Sequence, residues 1–122
     1  MWVLERSPFL DGKLKRLNKN HPAETKAMLE NLDKYLKALN EGANPINIQA
    51  GWIHHEPDGI KALDQKGTKG KPAQTRLYIF PAESSRQLHV ITAGDKSSQR
   101  TDIQESRDYI KPLKERKHGK TV

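Results

Sequence analysis

Arginine and histidine residues in the second half of the chain could together cleave a phosphodiester bond without a metal ion. Arg76 opens an alternating, strand-like run. His54 and His55 precede the strand before it, and His89 lies on the strand after it. A planar guanidinium can hold two phosphate oxygens at once, and an imidazole can take the proton of an attacking 2′-hydroxyl. The candidate catalytic residues are therefore Arg76, His54, His55 and His89.

Each of these residues also has a structural interpretation without catalysis. Arg76 could form a salt bridge at a strand end, and His54 or His55 could lie on the surface or cap a turn. His89 could be a half-buried packing residue of its strand. The sequence leaves open whether the four side chains meet at one end of a sheet.

Positive charge is concentrated near these residues. The 122 residues include 22 lysines and arginines against 15 acids, which gives a net charge of +7. Such a charge attracts polyanions, and nucleic acid is the first partner to consider. Segment 66–72 is rich in glycine and lysine and has no acid, which predicts a basic loop, either solvated or bound to nucleic acid. The candidate RNA-binding residues are Lys66, Lys69, Lys71, Lys96 and Arg100.

The chain lacks the residues or the spacings that several other kinds of site require. The chain has no cysteine, which excludes disulfides, thiolate metal sites and cysteine nucleophiles. His54 and His55 are adjacent, a poor spacing for binding one metal ion. The run 67–71 lacks the spacing of a nucleotide-binding P-loop. We predict no metal and no cofactor. An early charge at Glu5 and the absence of a membrane-length apolar run predict a cytoplasmic location.

The first half of the chain is dominated by one long helix. Pro22 suits the first turn of this helix, apolar residues recur along one of its faces, and Gly42 is a plausible stop. Residues 2–10 suggest a short strand, and the cations within 13–19 suggest a basic connector. Segment 43–56 is interpreted as irregular or as a helical turn.

The second half alternates like a sheet and then becomes helical. Residues 59–64 predict a strand, and 76–80 with 88–92 predict an antiparallel hairpin in which Leu88, Val90 and Thr92 share one face. A final helix has capping-box spacing at 101–104 and should end or kink at Pro112.

The order of elements predicts an α+β domain. Its small antiparallel sheet carries the long N-terminal helix and the C-terminal helix against one face. We expect residues 1–113 to form this single domain and residues 114–122 to be a basic, flexible tail.

Two segments resemble the RelE/ParE-type bacterial toxins. Residues 94–103, Gly-Asp-Lys-Ser-Ser-Gln-Arg-Thr-Asp-Ile, are similar to a segment of the HigB-like, phage-associated branch, and residues 75–80, Thr-Arg-Leu-Tyr-Ile-Phe, to the family's central strand. The resemblance extends from about residue 29 to residue 110. It implies a RelE-like sheet and a contact between Arg76 and the scissile phosphate. It also implies proton-transfer or cationic residues just before Arg76, where this chain has His54, His55, Lys61, Lys66, Lys69 and Lys71.

The resemblance further implies the toxin of a type II toxin–antitoxin system. The expected activity is that of a ribosome-dependent mRNA endoribonuclease, an mRNA interferase, with a helix-turn-helix antitoxin, mRNA and the ribosome as partners. Two departures stand out: the tyrosine beyond the last strand, Tyr109, falls on a helix, and segment 66–72 is longer than a tight hairpin. The alternatives are a ParE-like toxin that binds DNA gyrase and a nucleic-acid-binding module without catalysis.

Overall fold

The computed structural model describes residues 1–66 and 75–119, with side chains described up to residue 115. Within these ranges, five strands form one sheet in the order β1-β5-β4-β3-β2. The edge strand β1 is parallel to β5, and the other neighbours are antiparallel. The strands are β1 (Val3–Arg6), β2 (Ile53–His55), β3 (Lys61–Asp64), β4 (Thr75–Ala82) and β5 (Gln87–Asp95), and the helices are α1 (Leu10–Asn20), α2 (Pro22–Asn40) and α3 (Gln99–Gly119). The predicted α+β class is confirmed.

The sheet has an apolar core on each face because side chains alternate along its strands. Leu77 and Ile79 of β4 pack in the core formed with α1 and α2, to which α2 contributes the fully buried Met28 and Tyr35. Tyr78, between them in sequence, belongs to the second core, which contains Ile110 of α3. The sheet therefore lies between two layers of helix, and the prediction that the helices pack against one face is wrong.

The segment predicted as a basic connector is helix α1. Leu10 and Leu17 are buried in the first core, and Leu14 packs against it. These leucines are spaced at i, i+4 and i+7 and form the apolar stripe of an amphipathic helix, whose lysines and arginine lie on its other sides. The stripe was missed in the sequence because the segment is short and most of its other residues are polar or basic. The long helix α2 begins at Pro22, as predicted, and ends just before Gly42.

The predicted hairpin is confirmed as β4 and β5, but its faces change at a bulge. The pairing shifts between Tyr78 and Ile79, so that Tyr78 pairs with Thr92 and Ile79 pairs with Val90. Paired residues share a face of the sheet. Thr92 therefore lies on the α3 side with Tyr78, and the prediction that it shares a face with Val90 is wrong.

The junction between β5 and α3 gives structural roles to polar residues of segment 94–103 and to Gly94. A short 3₁₀ turn, Lys96–Ser98, connects the strand to the helix, which begins at Gln99 rather than at the predicted cap. The buried carboxylate of Asp102 accepts a hydrogen bond from Ser98 Oγ at 2.7 Å, and both groups lie against Gly94, where a Cβ would collide with them. Glycine is required at this point because the helix turns back onto the strand.

Two further boundaries differ from the sequence-based prediction. Part of the segment interpreted as irregular is β2, which pairs with β3 at the edge of the sheet. Helix α3 does not end at Pro112, one of the two predicted outcomes, and continues to Gly119, within the segment 114–122 that was predicted to be a tail. Within the described ranges, no helix combines the length and apolar character needed to cross a membrane.

Candidate functional site

Arg76 lies near the start of β4 and is accessible to solvent. Its backbone pairs with Asp64 of β3 on one side and with Gly94 of β5 on the other. The side chain is 22% exposed, and its Nη1 atom is 3.7 Å from Oε2 of Glu56. This separation is too long for a tight, bidentate ion pair. Among the described residues, the ion pair between the Arg76 guanidinium and Glu56 is therefore a loose one.

His54 is oriented by a buried carboxylate that the sequence analysis did not single out. Its Nε2 atom lies 2.6 Å from Oδ2 of Asp64, whose side chain is 1% exposed. In the tautomer whose Nε2–H donates to this carboxylate, the other ring nitrogen, Nδ1, is the atom that can accept a proton. A carboxylate in this position fixes the tautomer and stabilises the imidazolium that would form.

Asp64 is itself held from two directions. Its other carboxylate oxygen, Oδ1, accepts the backbone N–H of Lys66 at 2.6 Å, and its carbonyl oxygen accepts Nδ2 of Asn31, on α2, at 2.8 Å. The spacing of Asp64 and Lys66 is that of a side chain capping its own turn. An aspartate two residues before Lys66 was therefore the sequence pattern that could have identified Asp64. It was overlooked because residues 59–64 were considered only as a strand.

The sheet brings His54, Asp64 and Arg76 to one end of three adjacent strands. Asp64 pairs with Arg76, and His54 pairs with Ala62, two residues before Asp64. The backbones of β2 and β4 are separated by two strand spacings, roughly 10 Å. A phosphodiester could therefore lie between the imidazole and the guanidinium. We call this group, with Glu56, the Arg76 site.

His89 is not part of the Arg76 site. It pairs with Phe80, four residues along β4 from Arg76, a distance of roughly 13 Å along the strand. The side chain is buried, its Nδ1 atom is 3.1 Å from the hydroxyl of Tyr109, and burial lowers its pKa. The structure therefore shows His89 as a neutral packing residue and does not bring it together with the other candidates. Tyr109, on α3, is its partner.

His55 also points away from this group. Successive side chains of a strand alternate, so His55 lies on the opposite face of β2 from His54. Its Nδ1 atom lies 3.3 Å from Nζ of Lys61, a side chain only 7% exposed, whose pKa is lowered by burial. The two neighbouring histidines thus have separate environments, and His54 alone of the two contacts Asp64 among the described contacts.

The candidate RNA-binding residues are partly described. Lys66 is exposed and lies two residues after Asp64 in the chain. Lys69 and Lys71 lie outside the described residues. Lys96 and Arg100 are exposed at the junction that follows β5. The last residue of β5, Asp95, pairs with Thr75, the residue before Arg76 in β4. Asp95 accepts two hydrogen bonds from Ser97, which lower the pKa of its carboxyl. The exposed cations at 66, 96 and 100 therefore flank the end of the sheet that carries Arg76.

The comparisons with known proteins identify a shared fold. No protein-family model and no curated protein sequence matches the chain. Among solved structures, the crystal structure of a metal-bound toxin from Helicobacter pylori is similar, with a TM-score of 0.52 and 20% sequence identity. The match covers 80% of this chain and 98% of that one. The chain therefore has the fold of a bacterial toxin.

The described side chains of the Arg76 site can carry charge and protons. Within residues 1–66 and 75–115, no three histidine or acidic side chains are grouped in a way that could hold a metal ion. His54 contacts the carboxylate of Asp64. An imidazole next to a carboxylate can transfer a proton, and a nearby guanidinium can stabilise negative charge.

Proposed function

We propose that this protein is the toxin of a type II toxin–antitoxin system and cleaves mRNA on the ribosome. The fold shared with a bacterial toxin supports the toxin role, and the net charge of +7 suits an RNA substrate. The observation that carries the proposal is the pair formed by His54 and the buried Asp64, next to an accessible Arg76. Dependence on the ribosome follows from the resemblance to RelE/ParE-type toxins.

The proposed reaction is attack of a 2′-hydroxyl on the adjacent phosphorus. His54 Nδ1 takes the hydroxyl proton while the new P–O2′ bond forms, and Asp64 stabilises the resulting imidazolium. The Arg76 guanidinium stabilises the negative charge that develops on the phosphate oxygens. The P–O5′ bond breaks, and the departing oxygen takes a proton from water. The hydroxide that remains takes the proton of the His54 imidazolium, which restores water and the neutral base. The products are a 2′,3′-cyclic phosphate and a 5′-hydroxyl end.

Primer extension on translated mRNA tests the role of Arg76. Arg76→Ala should slow cleavage by about 10²- to 10³-fold, because one preorganised donor to the transition state is lost. Arg16→Ala, which removes an exposed arginine of α1, is the matched control and should cleave like wild type. Equal cleavage by wild type and Arg76→Ala would show that the assignment is wrong. Intact mRNA accompanied by DNA supercoiling defects would instead favour the gyrase-binding alternative.

The chemistry of the cut ends tests the mechanism separately. An mRNA carrying a 2′-deoxy substitution at the cleavage site should resist cleavage, because the nucleophile is absent. Cleavage of the deoxy substrate, or products with a 5′-phosphate, would contradict attack by the 2′-hydroxyl.

The proposed partner is a helix-turn-helix antitoxin that covers the cationic end of the sheet. Affinity purification of the tagged toxin, co-expressed with any small open reading frame found adjacent to its gene, tests this assignment. A stable complex that suppresses cleavage is expected. The complex should weaken with salt if the exposed cations form the interface.

A further inference from the structure

A second concave surface lies at the opposite end of β4 and β5 from Arg76. It is a cleft of about 600 Å³, and the mechanism proposed above makes no use of it. Its lining combines apolar, aromatic and cationic side chains, including Ile46, Lys61, Phe80, Gln87, His89 and Lys114. We call it the Phe80 cleft.

Phe80 presents an aromatic face in this cleft. Its side chain is half-buried, and it packs against Gly59, where a Cβ would lie only 3.3 Å from Phe80 Cε1. Nζ of Lys114, on α3, lies 5.9 Å from the centre of the phenyl ring. The position over the ring is therefore occupied by a mobile, solvated type of side chain rather than by packed hydrocarbon. A planar base can take that position, since base–aromatic stacking is tolerant of sequence.

Lys114 gives the cleft a positive charge beside the ring of Phe80. Lys61 also lines the cleft, but it is 7% exposed and its Nζ atom lies 3.3 Å from His55 Nδ1. Glu83, at the exposed turn after β4, is the acidic residue of the lining. An aromatic ring next to an ammonium group suits a ligand that has both a flat base and a phosphate.

The rim of the cleft is also apolar where a solvent-exposed surface would ordinarily be polar. Ile46 is 71% exposed at this rim, directly after Pro45. Ile46 and Phe80 line the same cleft, so this aliphatic side chain adds apolar surface that a base can contact.

We propose that the Phe80 cleft is a second binding site for single-stranded RNA, in which a base stacks on Phe80 and the neighbouring phosphate contacts Lys114. The choice of RNA as the nucleic acid rests on the proposed function. The cleft is roughly 13 Å along β4 from Arg76, so it holds a nucleotide away from the bond that is cut. Its occupancy sets which RNA is retained, whereas the Arg76 site performs the cleavage.

Fluorescence anisotropy with a short, labelled 2′-O-methyl oligoribonucleotide tests the proposal, because this probe binds without being cleaved. Phe80→Leu keeps an apolar side chain of the core and should weaken binding about 5- to 150-fold through loss of stacking. Lys114→Ala should reduce the slope of log affinity against log salt by about 0.7. Lys111→Ala, an exposed lysine one turn earlier on α3 and outside the lining, is the control and should leave the affinity within about twofold.

A second probe separates stacking from a loss of folding. Replacing bases of the oligonucleotide with abasic positions should weaken binding to wild type but have little further effect on Phe80→Leu. If Phe80 has only a structural role, the abasic positions should weaken binding equally in wild type and in Phe80→Leu. The proposal is overturned if Phe80→Leu and Lys114→Ala both bind like Lys111→Ala, or if a polyglutamate peptide binds the cleft as well as the oligonucleotide does.

The two proposals fail in different ways. If Arg76→Ala cleaves normally while binding still depends on Phe80, the proposed cleavage role is wrong and the RNA site stands. If Arg76→Ala abolishes cleavage while Phe80→Leu binds like wild type, the cleavage role stands and the Phe80 cleft does not bind RNA.

Discussion

The two ends of the β4–β5 hairpin contain the same kinds of side chain in different surroundings. At one end, His54 is bound to the buried carboxylate of Asp64, and Arg76 is accessible beside it. At the other end, His89 is bound to the phenol of Tyr109 and lies 6.5 Å from the ring of Phe80. A carboxylate stabilises an imidazolium, whereas a phenol within an apolar environment does not. The neighbours of a histidine, rather than the histidine itself, therefore determine whether it can act in proton transfer.

The strongest test of this difference exchanges each histidine for glutamine. His54→Gln should slow mRNA cleavage by about 10²- to 10⁴-fold, the usual contribution of a general base. Its side-chain amide can still donate to Asp64, so the buried carboxylate keeps a partner. His89→Gln should leave the cleavage rate close to that of wild type and lower stability instead, because an aromatic packing contact is lost. Single-turnover cleavage and urea unfolding measure the two effects.

The opposite result would remove the distinction between the two ends. If His89→Gln abolished cleavage while keeping wild-type stability, the catalytic histidine would lie at the Phe80 end of the hairpin. His55→Gln is the matched control, because His55 is exposed and adjacent to His54. It should alter neither cleavage nor stability substantially.

A steric change should destabilise the Arg76 end without altering its charge. Gly94→Ala places a Cβ against the Asp102 carboxylate and the Ser98 hydroxyl. Overpacking of this kind typically lowers the free energy of unfolding by about 1–3 kcal/mol. Urea denaturation checks the value, and Gly12→Ala, whose Cβ would meet nothing within 4 Å, is the control. Wild-type stability of Gly94→Ala would show that α3 does not turn back onto β5 in this way.

The buried His89 predicts how stability depends on pH. Burial lowers its pKa in the folded state below the ordinary value of 6.5. Above pH 6.5 the histidine is neutral in both states, and its contribution to stability is fully present. As the pH falls below 6.5, the unfolded state takes up the proton first, so the free energy of unfolding decreases. His89→Gln should lose this component when urea unfolding is compared at pH values above and below 6.5. An unchanged pH dependence would contradict the burial of a neutral His89.

The smallest predicted effect concerns the loose partner of Arg76. Glu56→Gln removes the carboxylate that lies 3.7 Å from the guanidinium and so leaves Arg76 freer to bind phosphate. Weak ion pairs contribute about 0.2–1 kcal/mol, which corresponds to RNA binding about 1.4- to 5-fold tighter. Anisotropy with the 2′-O-methyl probe measures this change. Weaker binding would instead identify Glu56 as a group that positions Arg76.

The elements with strong periodicity were predictable from the sequence, and those that depend on pairing were not. The long helix that begins at Pro22 and the β4–β5 hairpin were predicted because their apolar residues repeat every 3.6 or 2 positions. Helix α1 was missed although Leu10, Leu14 and Leu17 carry the pattern, because its charged residues dominate the composition. The side-chain faces beyond the bulge were predicted wrongly, since an extra residue in one strand reverses the alternation.

The Arg76 site could be predicted in part. Arg76 and His54 were singled out by residue type, and their catalytic roles stay predictions. Asp64 was not recognised, because the value of a carboxylate here depends on the pairing of β2 with β3, which places His54 Nε2 against it. His89 was included because its position along the chain is close to Arg76, whereas the antiparallel pairing puts it at the far end of the hairpin.

The sequence by itself determined the class of the domain, the excess of positive charge and the lack of cysteine chemistry, because these depend on composition and on local periodicity. Only the tertiary structure decided which histidine has a carboxylate partner, which charged side chains meet at each end of the hairpin, and why Gly94 must lack a side chain. These depend on contacts between residues far apart in the chain, and such contacts are fixed by strand register and by the packing of α3 on the sheet.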